Sequence, residues 1–105
     1  MRAPQINSVE FARALADDTR QKIMALCCCE WCSVTELTDQ LEVAQPTVSH
    51  HLAILREAGL VFQRKNGKQT FYTLNQDRVA FCCGQLMVKF APEAESTAAV
   101  QELER

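Results

Sequence analysis

The residues best equipped for chemistry are cysteines: Cys27, Cys28, Cys29 and Cys32 fall in one short run, and Cys82 and Cys83 form a second. Deprotonated thiols bind soft metals and metalloids, and pairs of thiols give up two electrons when they join as a disulfide. A secreted disulfide scaffold is not expected. Met1 to Asn7 lead into Glu10, Arg13 and Asp17 instead of an apolar export segment, and neighbouring cysteines are awkward partners for one another in ordinary disulfide geometry. Cys29-Glu30-Trp31-Cys32 is a literal Cys-x-x-Cys, but a thiol oxidoreductase would carry that pair after a strand and at the head of a long helix, whereas here a helix precedes it. Thiophilic ligand binding or thiol redox chemistry, with no enzyme around it, is the expectation.

The elements that must hold these thiols are legible from capping and periodicity. At 105 residues and 48% hydrophobic, the chain reads as one globular domain. Ser8 or Asn7 caps a first helix with Val9, Phe11, Ala12, Leu15 and Ala16 on its apolar face, and Asp17 caps a second that ends near Cys29 or Glu30. Ser33-Val34-Thr35-Glu36 fits a capping box ahead of a third helix, Val34 to Leu41. A fourth helix opens at Pro46, runs along Val48, Leu52 and Leu55, and stops at Gly59. Two short helices joined by a tight turn, with Thr47, Ser49, His50 and His51 on the second, have the form of a DNA-reading helix-turn-helix.

Asn66-Gly67 between Leu60–Lys65 and Lys68–Leu74 is a hairpin signal, and the hairpin is a wing. A last helix runs from Gln76 or Asp77 to Phe90, where Pro92 prevents its continuation. The expected fold is mainly α with a β-hairpin wing, in the order α-α-α-α-β-β-α. Residues 1–92 form the winged helix-turn-helix DNA-binding and dimerisation domain, and 93–105 are an acidic tail of frayed helix or disorder. The apolar content of the last helix exceeds what a lone surface helix needs, so a homodimer through the first and last helices is expected. No run approaches a membrane span, which excludes a membrane partner and makes the cytoplasm the expected location.

The formal net charge is −2, but its distribution is uneven: from Gln45 to Tyr72 the basic residues Arg56, Arg64, Lys65 and Lys68 face a single acid, Glu57. Local charge governs phosphate contacts more directly than the total.

Taken together, Ala14-Leu-Ala-Asp-Asp-Thr-Arg20, Gln45-Pro-Thr-Val-Ser-His-His-Leu52, Leu55-Arg-Glu-Ala-Gly-Leu60 and Lys65-Asn-Gly-Lys-Gln-Thr-Phe-Tyr72 resemble the ArsR/SmtB family of metal- and stress-responsive repressors. The resemblance covers nearly the whole chain up to Phe90. It implies a homodimer on double-stranded operator DNA that leaves when an effector binds. Gln45, Thr47, Ser49 and His50 would then face the major groove. Lys65, Asn66 and Lys68, with Arg64, would approach the minor groove or phosphates from the wing. Arg56 is placed for a phosphate, and His51 for packing or a phosphate. His50 stands where many relatives have arginine, so it lacks the rigid fork that reads guanine.

The effector is where this sequence departs from the family's patterns. Ser33, Thr35 and Thr38 occupy the places of the three cysteines of the arsenic-sensing motif, and Gln76, Arg78, Lys89 and Pro92 those of the zinc site on the last helix. The persulfide-responsive pattern has a cysteine near Ala25. Arsenite or antimonite on relocated thiolates is the expectation carried by the resemblance, with Cys28, Cys29, Cys32, Cys82 and Cys83 as candidate ligands and Cys28, Cys29 and Cys32 converging around a helix end. Cadmium, lead or zinc, or thiol redox and persulfide sensing, are the alternatives. No constitutive cofactor is expected. Cys27, on an apolar stripe, reads as core, and so does Cys82.

Overall fold

Phe11 and Ala14 are the buried side of α1 (Ser8–Leu15), the first element of a computed structural model that describes residues 8–103. The Asn7 alternative for the first cap, and the reading of the leader as unexported, lie outside the described residues. Asp17 caps α2 (Asp18–Leu26) as expected, accepting from the Arg20 backbone N–H at 3.0 Å. This bond holds the Asp17 carboxyl below the usual carboxylate pKa.

α2 stops earlier than expected. The Cys27 carbonyl takes the Leu74 N–H at 2.9 Å, so the chain from Cys28 onward leaves the helix and crosses to a strand. That crossing creates an element the sequence did not announce, β1 (Cys32–Ser33). Ser33 then closes a full capping box with Glu36 at the head of α3 (Val34–Leu41). Glu42, at φ 55°, turns the chain in a left-handed conformation.

The recognition helix α4 (Gln45–Glu57) begins on Ala44, which gives no side-chain cap, with Pro46 in its first turn. The wing strands β2 (Val61–Asn66) and β3 (Gln69–Leu74) meet at Gly67, whose φ of +66° is the conformation the tight turn needs. The antiparallel sheet is ordered β1-β3-β2, with Cys32 opposite Tyr72 and Arg64 opposite Phe71. Asn75 caps α5 (Gln76–Phe90). Beyond Pro92, the expected frayed or disordered tail gives way to α6 (Glu95–Leu103), which packs on α5 through buried Thr97; its hydroxyl donates to the Ala91 carbonyl at 2.6 Å.

The expected order therefore gains β1 and α6. Leu37, Val48, Leu52, Leu55 and Leu60 meet Phe11 and Ile23 in one core, so the two helices of the reading motif and the root of the wing share a single apolar centre. Among the described residues, no helix is long and apolar enough to cross a membrane.

Candidate nucleic-acid interface and thiol site

Helical periodicity divides α4 into two faces. Val48, Leu52 and Leu55 are buried, while Gln45, Thr47, Ser49, His50 and Arg56 are exposed. The exposed side chains are donors and acceptors of the kind that read base edges and phosphates. Lys65, Asn66 and Lys68 are exposed around the wing turn.

His51 behaves differently from its neighbours. Its ring is largely covered, and Nδ1 lies 3.0 Å from Arg20 Nη1. A guanidinium has no acceptor, so Nδ1 accepts and Nε2 carries the proton, facing Asp17 Oδ1 at 3.9 Å. Arg20 also donates to the Ala14 and Arg13 carbonyls at 2.8 and 3.0 Å, closing the end of α1. Of the two roles expected for His51, this arrangement serves packing: it ties α4 to the α1–α2 corner. Arg20 and Asp17 were not singled out for this. The available signal was a capping aspartate followed by an arginine three residues later.

The cysteines divide by environment. Cys27 and Cys82 are buried, as expected for core positions, and Cys83 is exposed on α5. Cys32 is buried in β1, with its thiol 3.5 Å from the Leu26 carbonyl. Burial raises the Cys27, Cys32 and Cys82 thiols above their ordinary pKa. Nearby Glu30 and Glu36 push Cys32 further up. These three are poor nucleophiles.

Cys28 and Cys29 sit in the turn after α2, half-buried and exposed respectively, and are joined as a disulfide. Pairing of adjacent cysteines contradicts the expectation that they are awkward partners; ending α2 at Leu26 frees the torsions that a helix would have fixed. The structure does not gather Cys32, Cys82 or Cys83 around them. Among the described residues, no three His, Cys, Asp or Glu side chains are grouped to hold a metal ion.

The thiol turn is stitched to the wing and to α5. The Thr73 hydroxyl lies 3.2 Å from the Cys27 carbonyl and 3.0 Å from that of Glu30, and the Gln76 amide donates to the Cys28 carbonyl at 2.7 Å. Arg64, expected to face DNA, has its guanidinium 4.3 Å from the centre of the Trp31 ring. Sequence reasoning did not connect Trp31 or Thr73 to function, because both links cross from the turn to the distant hairpin.

Cys27 supplies a test by pH. In the unfolded chain its thiol ionises near its ordinary value of 9.0, whereas the folded protein holds the proton to about 11. Between these values the folded state binds more protons, so stability falls as pH rises; below them the contribution is fully present. The urea midpoint of wild type is expected to drop more steeply over pH 9–11 than that of Cys27→Ala. Parallel slopes would refute the assignment.

Comparison with known proteins places this geometry. The family model for "Bacterial regulatory protein, arsR family" matches residues 17–62. The chain is similar to the arsenic resistance transcriptional regulator ArsR1 of Pseudomonas putida, 44% identical over 66 residues, covering 62% of this chain and 52% of that protein. It thus spans about half that relative's length. It is 39% identical over 79 residues to the uncharacterized HTH-type transcriptional regulator MJ1325 of Methanocaldococcus jannaschii, covering 69% of this chain and 82% of that one. Among solved structures, reduced HlyU from Vibrio cholerae superposes with a TM-score of 0.65 at 34% identity, covering 80% of this chain and 87% of that chain. A chain this similar to most of a helix-turn-helix regulator, and matching the family across the reading motif itself, belongs to the arsR family of bacterial regulatory proteins.

Proposed function

We propose that the chain is a homodimeric repressor that holds double-stranded operator DNA while Cys28 and Cys29 are thiols and releases it when they join as a disulfide. The observation that carries this reading is the pairing of these two sulfurs in a solvent-reachable turn whose carbonyls are bonded to β3 and α5. A hydroperoxide suffices as oxidant. One thiolate attacks the peroxide oxygen, giving a sulfenic acid and expelling alcohol or water. The second thiolate attacks the sulfenyl sulfur and releases water, so two electrons pass from the thiols to the peroxide. That the similar HlyU structure is specified as the reduced form fits a regulator whose thiol state matters.

The homodimer is supported by apolar surface on adjoining helices: Val9 of α1 and Phe81, Val88 and Phe90 of α5 are all exposed in the single chain. α4 supplies Gln45, Thr47, Ser49 and His50 for the major groove, and the wing supplies Lys65, Asn66 and Lys68 for the adjacent backbone.

A second reading keeps the same pair but loads it with arsenite or antimonite. Two neighbouring thiolates suit a trivalent metalloid, and the Pseudomonas putida relative is named for arsenic resistance. Anisotropy of labelled operator DNA, with fully reduced protein, separates the two. Hydroperoxide is expected to weaken binding by about 5–150-fold, the usual range of allosteric coupling, reversibly by dithiol and not in Cys28→Ser or Cys29→Ser. Release by arsenite with no response to peroxide would replace the first reading by the second, and indifference to both would sink the thiol switch.

A further inference from the structure

Resting on the thiol-switch reading, we infer that Trp31 is a positioning residue that couples the Cys28–Cys29 pair to the wing by withdrawing Arg64 from the DNA backbone in the disulfide state. Trp31 is the chain's single tryptophan and lies two residues after the pair. The disulfide-containing structure stacks the Arg64 guanidinium on its ring at 4.3 Å.

Strand register explains how the two meet. Ser33 is opposite Phe71 and Arg64 is opposite Phe71 from the other side. Side chains alternate between the faces of a sheet, so Trp31, two residues before Ser33, falls on the same face as Arg64. Cys32, opposite Tyr72, which Gln63 faces from the other side, falls on the other face, toward the core. The sheet thus separates a buried thiol from the half-buried Trp31 ring and the exposed Arg64 cation that meets it.

Arg64 is on the strand leading to Lys65, Asn66 and Lys68, the cationic end of the wing. A guanidinium stacked on indole is directed along the sheet, and its charge is partly spent on the ring instead of a phosphate. Because the carbonyls of Cys27, Cys28 and Glu30 are anchored by Thr73 and Gln76, the disulfide pins a turn that is already held at both ends. Trp31, which follows directly, inherits that position. Opening the bridge returns torsional freedom to Cys28 and Cys29, releases the ring from Arg64 and lets the guanidinium reach a phosphate.

The test uses the full-length protein and its operator in reduced and peroxide-oxidised states. In Trp31→Ala, the ratio of oxidised to reduced Kd is expected to fall by about three- to fivefold relative to wild type, the scale of one surface cation–π contact. Trp31→Phe should retain part of the effect. Arg64→Gln should weaken reduced-state binding, lower the slope of log K against log salt by about 1, and show the same loss of redox response. Trp31 emission in the DNA-free protein should shift on reduction in wild type and Arg64→Gln alike, but not in Cys28→Ser. A wild-type ratio of one would remove the thiol switch and this inference with it. A wild-type-like ratio in both Trp31→Ala and Arg64→Gln, or unchanged Trp31 emission on reduction, would overturn the coupling alone.

Discussion

Leu52→Ala is expected to cost about 2–5 kcal/mol of folding stability, the range for truncating a leucine in a packed core. Leu52 is fully buried on the inner face of the recognition helix, between Val48 and Leu55, in the cluster that also holds Ile23 and Leu37. Domains of this size are stable by about 5–15 kcal/mol in all, so one substitution removes a large share. The cavity would open where α4 rests on α2 and α3, which is the contact that aims the reading face. The control lies three residues away, at the solvent edge of the same helix: Ser49 is exposed, and Ser49→Ala should change stability by no more than about 0.5 kcal/mol while weakening operator binding. Urea denaturation and anisotropy on the two variants make the comparison. Equal stabilities would mean that the inner face of α4 is not the support described here.

Phe81→Glu is expected to separate the dimer and reduce operator affinity by about 10²–10⁴-fold, the avidity lost when two linked half-site contacts become one. Phe81 is 40% exposed on α5, and Val88 and Phe90 are exposed on the same helix at 41% and 72%. In an isolated chain, a glutamate at a position this open loses little packing, so the monomer should stay folded. In an interface built from these side chains, the same carboxylate would be buried without a partner, a cost that dimerisation cannot absorb. Light scattering should give a single-chain mass with an unchanged circular dichroism spectrum. A variant that remains dimeric and binds normally would show that α5 is not the interface.

Much of this architecture was written locally. Asp17, the Ser33–Glu36 capping box and Pro46 each act within a few residues of themselves and are found in the role their chemistry implied; the hairpin forms as expected, but its turn is Gly67-Lys68, one residue later than Asn66-Gly67, because Asn66 pairs with Gln69 as the last residue of β2. The exposed face of α4 was equally readable, since helical period turns His50 away from Val48 and Leu52 and leaves Ser49 at the solvent edge. The stopping point of α2 was not readable, because nothing in Cys27–Glu30 ends a helix. What ends it is Leu74 and Thr73, more than forty residues away, competing for its carbonyls. The same competition moved Cys28 and Cys29 from a helix into a turn where they pair, and carried Cys32 into a strand.

The sequence by itself determined the family, the reading helix and the wing, because capping, periodicity and turn chemistry are short-range properties. Only the tertiary structure decided which thiols are buried, which two meet, that His51 is held by Arg20, and that Trp31 lies under Arg64. These depend on hydrogen bonds and strand register between segments distant in the chain, and spacing along a sequence does not encode which carbonyl a remote N–H or hydroxyl will reach.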